Sequence, residues 1–212
     1  LVLGARIEGS LKEKFLRLFA DTYERTAWGQ ILDIANTLPR SLRPGDTAAR
    51  EIGMMKTAYY TVYFPLLMGC TLAGAATAGE RRAIARFALP LGHAFQVRDD
   101  ILGVFGDNLE MGKSADSDIL EGKKTVLVQN TVERLRPADR KRFESLFTKK
   151  AKSASDLAGI RRLIRESGAL DAAADMHRRL VGEAVNATRS LAIDGAGKSV
   201  LLGLCAAIGA LK

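Results

Sequence analysis

The sequence predicts an all-α protein, and three observations support that prediction. Apolar residues recur at helical spacing along nearly all of the 212 residues. Strong helix formers such as Ala and Leu are plentiful, whereas the chain has only 5 prolines and 6% aromatic residues. No segment alternates apolar and polar residues as a half-buried strand does, and no linker or repeat interrupts the chain. We therefore expect a single helical domain over residues 1–212.

The helix boundaries are predicted from prolines, glycines and capping side chains at the points where the apolar periodicity stops. In chain order the predicted helices are 11–34, 47–79, 80–104, 125–134, 138–149, one capped by 153–156, 168–191 and 199–211. Pro65 should kink the second helix. The third has an apolar centre, which indicates a buried helix, and glycines then open a loop over 103–122.

The formal net charge of +8 suits nucleic acid, an anionic membrane surface or phosphorylated small molecules as partners. The basic residues concentrate in 134–152 and 161–165, where they alternate with apolar residues at helical spacing and so indicate solvated helix faces. Neither an RNA-type aromatic cluster nor a zinc-ligand spacing accompanies them, so we expect no nucleic-acid partner.

Cellular location is predicted from the apolar runs and the cysteines. The runs 64–79 and 199–211 are shorter than the roughly 20 apolar residues that a membrane span needs, and no signal peptide is visible. Cys70 and Cys205 lie in small-residue apolar surroundings, which indicates buried free thiols in a reducing compartment. We therefore expect a cytoplasmic protein without a transmembrane segment.

The most informative segment is 95–107, in which Asp99 and Asp100 stand side by side in an otherwise apolar run. Burying these carboxylates without partners would cost several kcal/mol. A basic loop follows, from Lys113 to the sequence Glu-Gly-Lys-Lys-Thr at 121–125. Because carboxylates bind hard cations and lysines bind anions, the pattern indicates a site for a metal-bound phosphate or diphosphate.

The neighbours of the acidic pair bear on this hypothesis. Gln96 lies one helical turn before the pair and shares its face. A third carboxylate one turn later is absent, because position 103 is Gly. A structural alternative remains open, in which Asp99 and Asp100 cap a helix end or pair with Arg98.

Two pairs of residues on the first two helices are further candidates. Lys56 and Thr57 lie among apolar residues, although such a lysine can also extend from its helix to the surface. Gln30 and Asp33 lie three apart on the first helix, a spacing that many amphipathic helices show.

The loop lysines Lys113 and Lys123 form the last candidate pair. Gly112 and Gly122 beside them allow the backbone to approach an anionic ligand closely. The alternative is a mobile surface loop whose charge is balanced by the acidic residues at 116, 118 and 121.

Two other patterns do not indicate sites. Residues 195–199 (Gly-Ala-Gly-Lys-Ser) resemble the end of a P-loop, but Ala192 stands where the first glycine belongs and no strand precedes it, so we expect a helix-connecting turn. His93 and His177 have no second histidine or cysteine at ligand spacing.

Taken together, six segments in the same order resemble the trans-isoprenyl diphosphate synthases, the family of farnesyl, geranylgeranyl and polyprenyl diphosphate synthases. The segments are Gly29-Gln30 with Asp33, Lys56-Thr57-Ala58, Phe95-Gln96 before Asp99-Asp100, Phe105-Gly106-Asp107, Gly112-Lys113 and the 121–125 sequence. The resemblance implies a bundle of long helices around a deep apolar cavity, in a homodimer.

The resemblance also implies the reaction and its cofactor. Such enzymes hold an allylic diphosphate through Mg²⁺, for which Mn²⁺ can substitute. The allylic cation formed on loss of diphosphate alkylates isopentenyl diphosphate, and we expect a geranylgeranyl-type product. Both substrates would be this protein's small-molecule partners.

By the same resemblance, each candidate residue has a role. Asp99 would bind the metal and Asp100 would support it. Lys56, Lys113 and Lys123 would neutralise the departing diphosphate. Four polar residues would hydrogen-bond the diphosphate, the metal-bound waters or the developing cation: Thr57, Gln96, Gln30 and Asp33. The catalytic residues would be Lys56, Thr57, Gln96 and Asp99.

The chain departs from the family pattern in two ways. Gly103 replaces the last Asp of the second Asp-rich motif. The first Asp-rich motif and the arginines beside it, which lie upstream of Leu1 in the family, are not found. We therefore expect N-terminal helices to be missing and residues 1–212 alone to be inactive. A non-catalytic partner subunit of such a synthase and a terpene cyclase are the alternatives.

Overall fold

The computed structural model describes residues 4–37, 42–106 and 116–211, which form helices and no strand. In chain order the elements are α1 (Gly9–Thr37), α2 (Ala48–Ile52), a π-helix (Gly53–Tyr63), α3 (Phe64–Leu72), α4 (Ala78–Phe105), α5 (Ser117–Glu121), α6 (Val126–Arg134), α7 (Pro137–Phe147), α8 (Ala154–Glu166), α9 (Ala169–Thr188) and α10 (Gly195–Gly209). The all-α prediction is confirmed. Among the described residues, none of the helices has the length and apolar character needed to cross a membrane.

The second predicted helix is continuous in sequence but changes type along its length. After α2, residues 53–63 widen into a π-helix. Pro65 then lies in the first turn of α3, where its missing N–H and fixed φ are tolerated. The disturbance predicted at Pro65 is therefore a change from π-helix to α-helix.

Two sequence predictions about loops are wrong. The loop predicted over 103–122 contains α5, whose C-terminal end is capped by Gly122 with a φ of 71°. The connecting turn predicted at 195–199 is instead the first turn of α10, because the Asp194 carboxylate accepts a hydrogen bond from the Gly197 N–H at 2.7 Å and caps the helix. The cap predicted at 153–156 is confirmed: Ser153 and Asp156 form a capping box at the start of α8.

The chain divides into two compact units. The helices α1, α4 and α9 each contribute residues to both units. The first unit contains the chain up to Gln30, Gly53–Phe95, and the chain from Arg178. The second contains Ile31–Ile52 and Gln96–His177. The single domain over 1–212 and the deep apolar cavity stay predictions.

Within the first unit, the π-helix is packed closely between α1 and α4. A Cβ atom at Gly29 on α1 would lie 2.6 Å from the Lys56 backbone nitrogen, and one at Gly92 on α4 would lie 2.5 Å from the Ala58 Cα. Real Cβ atoms do not approach backbone this closely, so both positions require glycine. These two contacts fix the backbone of the segment that carries Lys56 and Thr57.

The second unit has an apolar core built from α6, α7 and α8. Phe143 and Phe147 on α7 stack with ring centroids 5.5 Å apart, and α7 packs against α8. Leu127 on α6 and Ile160 on α8 are fully buried. This core supports the start of α6, where the Val126 N–H donates a hydrogen bond to Asp100 of α4.

Candidate functional site

Asp100 connects α4 to the start of α6. It is 5% exposed, and one carboxylate oxygen accepts a hydrogen bond from Gln96 Nε2 at 2.7 Å. The other accepts from the Val126 N–H at 3.1 Å, in the first turn of α6, where a negative charge is favourable. Burial raises the pKa of Asp100 to about 7, and the charges of Asp118 and Asp99 also raise it, whereas the two hydrogen bonds oppose the shift.

Asp99 has the opposite environment, because its side chain is exposed to solvent. It lies on the same helical turn as Asp100 and close enough to Asp118 to raise the pKa of that carboxyl group. Of the two adjacent carboxylates, Asp99 is therefore the one that is open to a cation.

Asp118 on α5 occupies the space beside Gly103. A Cβ atom at position 103 would lie 2.9 Å from the Asp118 Cγ, so the carboxylate fills the volume that a side chain there would enter. Burial raises the pKa of Asp118, although Lys123 opposes this. The carboxylate missing from position 103 thus has a counterpart in space, supplied by α5.

Lys123 is held by two carboxylates of the same short segment. Its Nζ lies 3.1 Å from Asp118 Oδ1 and 3.0 Å from Glu121 Oε2. Burial favours the neutral amine, but these two partners outweigh it, so the pKa of Lys123 lies above its ordinary value. The side chain is about three quarters buried and carries a fixed positive charge.

The C-terminal end of α4 is tied to α5 by an arginine of α8. Arg161 Nε donates a hydrogen bond to the Val104 carbonyl at 2.9 Å, and its Nη2 is paired with Asp116 just before α5. One turn later, Arg165 lies over the Phe105 ring, 4.5 Å from its centroid. These contacts fix the two segments that carry Asp99 and Asp118.

The second unit thus contains six of the relevant side chains: Asp33, Gln96, Asp99, Asp100, Asp118 and Lys123. Asp33 is half-buried on α1. Gln30, Lys56 and Thr57 belong to the first unit. Gln30 is exposed and Thr57 is buried. Lys113 lies outside the described residues.

Sequence reasoning missed three positioning residues. It treated Asp118 as part of a charge-balanced loop and gave Gly92 and Arg161 no role. Gly103 was the available signal for Asp118, because a glycine on a helix face leaves a space that a neighbouring segment can fill. The role of Arg161 depends on contacts 57 and 45 residues away in sequence, which no local pattern reveals.

The described residues contain no group of three or more His, Cys, Asp or Glu side chains that could hold a metal ion by themselves. Mg²⁺ does not usually need such a group, because it keeps several waters and is bound by one or two carboxylates together with substrate phosphates. An exposed Asp99, close to the Asp118 carboxylate that pairs with Lys123, fits that mode of binding.

Comparison with known proteins gives a consistent result. The sequence profile of the family described as polyprenyl synthetase matches residues 3–164. A farnesyl pyrophosphate synthase from Murgantia histrionica is 37% identical over 132 residues, which are 62% of this chain and 32% of that enzyme. A geranylgeranyl diphosphate synthase from Saccharolobus solfataricus is 34% identical over 112 residues, which are 53% of this chain and 33% of that enzyme.

A solved structure gives the corresponding result for the fold. Geranylgeranyl pyrophosphate synthase from Corynebacterium glutamicum, complexed with isoprenyl diphosphate and magnesium, matches with a TM-score of 0.85 and 27% identity. The match covers 97% of this chain and 57% of that one, so the chain spans less than two thirds of each of these relatives. On the profile match, the sequence identities and the shared fold, this chain belongs to the polyprenyl synthetase family, the trans-isoprenyl diphosphate synthases.

Proposed function

We propose that the intact protein is a prenyltransferase that condenses an allylic diphosphate with isopentenyl diphosphate to give a longer trans-polyprenyl diphosphate. The observation that carries this proposal is the difference between the two adjacent carboxylates of α4. Asp99 is open to a cation, whereas both oxygens of Asp100 accept hydrogen bonds within the protein.

The proposed reaction breaks the C–O bond between the allylic carbon and the diphosphate, which leaves with the electron pair. The double bond of isopentenyl diphosphate then attacks the allylic cation to form the new C–C bond, and loss of a proton to the diphosphate restores a double bond. Bound Mg²⁺ would neutralise the negative charge that grows on the leaving group.

The residues of the second unit would divide the work as follows. Asp99 would bind the metal ion, while Asp100 and Gln96 keep that turn of α4 in place. Lys123 would bind the diphosphate through its charge, and Asp118 keeps the ammonium group oriented.

The remaining candidates are proposed on the family resemblance. Lys56 and Thr57 on the π-helix would bind the diphosphate, as would Lys113. Gln30 and Asp33 would hydrogen-bond it or its metal-bound waters.

We also propose a geranylgeranyl-type product, a homodimer and a cytoplasmic location. Chromatography of the dephosphorylated product against prenyl alcohol standards tests the first of these. Light scattering of the intact protein tests the second, and fractionation of the source cells tests the third.

The activity is tested with the intact protein, radiolabelled isopentenyl diphosphate, Mg²⁺ and a series of allylic primers. We expect an acid-labile, chain-elongated product that requires both an allylic primer and the metal ion, and that Mn²⁺ also supports. No product with any primer would contradict the proposal. A hydrocarbon formed from the allylic diphosphate without isopentenyl diphosphate would show a terpene cyclase instead.

A further inference from the structure

A second concentration of positive charge surrounds a cavity of about 150 Å³ in the second unit. Four lysines line it: Lys124 from the loop before α6, and Lys149, Lys150 and Lys152 from the segment between α7 and α8. The lining does not include Asp99, Asp100, Asp118 or Lys123. This lysine cavity therefore has a different set of lysines from the acidic site, although Glu121, the partner of Lys123, lies in its lining.

The wall formed by residues 149–152 is held in place by several contacts. Lys149 Nζ pairs with Asp156 at 2.6 Å, and Asp156 is itself fixed by the capping box with Ser153. Lys152 Nζ donates a hydrogen bond to the Lys149 carbonyl at 2.9 Å and lies 5.7 Å from the centroid of the Phe147 ring. The lysines are thus presented by an ordered turn.

The opposite wall is anchored to α1. Asn36 Nδ2 donates a hydrogen bond to the Lys124 carbonyl at 3.2 Å. Among the described residues, the cavity lining contains one acidic residue, Glu121. Its carboxylate pairs with Lys123 Nζ at 3.0 Å. Because the acidic groups here and at Asp156 have lysine partners, the cavity keeps a net positive charge.

Lys152 lies where its charged form is disfavoured. Burial lowers the pKa of its ammonium group, although Asp156 opposes the shift. A bound anion would reverse the unfavourable environment, since an opposite charge nearby favours the charged amine.

We propose that the lysine cavity binds a small phosphate-bearing anion, either inorganic phosphate or diphosphate. Its volume corresponds to roughly five water molecules at about 30 Å³ each, which is enough for such a group. Lysine is a common phosphate ligand, and each ammonium group can donate up to three hydrogen bonds to phosphate oxygens. This binding goes beyond the prenyl-transfer reaction and does not depend on it.

The test is calorimetric titration of the intact protein with sodium diphosphate at constant ionic strength, in EDTA so that metal-dependent binding is removed. We expect saturable binding that Lys150→Ala weakens about tenfold, because each charged hydrogen bond contributes on that order. The double variant Lys150→Ala with Lys152→Ala should weaken it further. Lys141→Ala is the matched control, because Lys141 is an exposed lysine of α7 outside the cavity lining.

Thermal unfolding gives an independent readout. In EDTA, diphosphate or phosphate should raise the melting temperature of the parent and of Lys141→Ala by more than that of the double variant, which keeps the lysines of the proposed active site. The anion-free melting temperature of Lys150→Ala should match that of the parent, because Lys150 is exposed. Absence of saturable binding, or equal losses in Lys150→Ala and Lys141→Ala, would overturn the proposal. The lysines would then serve only the carbonyl groups at nearby helix C-termini.

Discussion

Asp99 and Asp100 are adjacent in sequence but have different physical environments. A helix places successive residues about 100° apart, so one carboxylate of the pair reaches the interior while its neighbour stays in solvent. Gln96 and the Val126 N–H satisfy the buried carboxylate of Asp100. The alternative interpretation was that the acidic pair caps a helix end. It applies to Asp100, whose carboxylate accepts a hydrogen bond from the first turn of α6 although Asp100 lies on α4.

The two substitutions Asp99→Ala and Asp100→Ala should have different effects on stability. Asp100→Ala leaves the Gln96 amide and the Val126 N–H without their partner and should lower the free energy of unfolding by about 2–4 kcal/mol. Asp99→Ala removes an exposed side chain and should stay within about 0.5 kcal/mol of the parent. Urea denaturation at neutral pH measures both, and equal losses would contradict the assigned environments.

Gly103 and Asp118 should behave as a coupled pair. Gly103→Asp introduces a carboxylate into the space that the Asp118 carboxylate fills, which we expect to destabilise the protein by about 1–3 kcal/mol. The double variant Gly103→Asp with Asp118→Ala should recover much of this loss, because the space is then vacated. A double-mutant cycle measured by urea denaturation tests the coupling, and strictly additive effects would contradict it.

At the scale of elements, the position of the π-helix depends on two glycines. π-Helices are rare and frequently occur at functional sites. Here the π-helix carries Lys56 and Thr57 and contacts α1 at Gly29 and α4 at Gly92. The backbone of this segment is therefore fixed by contacts on two sides.

Gly92→Ala should lower the free energy of unfolding by about 1–3 kcal/mol, because the added methyl group would meet the backbone of Ala58. Gly182→Ala is the matched control within a helix, since nothing lies within 4 Å of a Cβ atom there. That substitution should stabilise the protein by about 0.5–1 kcal/mol through backbone entropy. If both variants are equally stable, the close approach of α4 to the π-helix is wrong.

The start of α8 should confer a pH-dependent stability. The hydrogen bond from Lys149 and those from the Ser153 backbone and side chain lower the pKa of Asp156 to about 2, from an ordinary value near 3.9. Because the folded-state pKa is depressed, the stabilisation is complete above about pH 4 and is lost as the pH falls towards 2.

Urea titrations over this acidic range should therefore show a shallower decline for Asp156→Asn than for the parent. Ser153→Ala, which removes the cap, should cost about 1 kcal/mol at neutral pH. Identical pH slopes for the parent and Asp156→Asn would contradict the lowered pKa.

At the scale of the whole molecule, the sequence predicted what local patterns determine. Apolar periodicity predicted α4 from near Glu80 to about Val104, and it is observed as Ala78–Phe105. The acidic residues at 99 and 100 were predicted to lie on that helix, and they do. Their division into an exposed and a buried group was not predicted, because it depends on α6, which packs there from elsewhere in the chain.

The errors have related physical causes. The helix α5 was missed because only five residues form it and glycines lie on both sides. The start of α10 was missed because glycines at 195 and 197 suggested a turn, whereas the Asp194 cap stabilises the helix there. At α10 a capping side chain overrides the local preference for a turn, and at α5 tertiary contacts such as the Arg161–Asp116 pair do so.

Another prediction about the whole molecule is that residues 1–212 alone have no prenyltransferase activity. It is tested in the prenyltransferase assay by comparing this chain with the intact protein. Turnover by the chain alone would contradict it.

The most direct test of the account measures the binding of an unreactive allylic thiolodiphosphate to the intact protein, with and without Mg²⁺. In the parent we expect the metal ion to strengthen binding by at least about tenfold, and we expect Asp99→Asn to abolish that enhancement while leaving the melting temperature unchanged. If Mg²⁺ strengthens binding equally in the parent and in Asp99→Asn, then Asp99 does not bind the metal ion and the central claim is wrong.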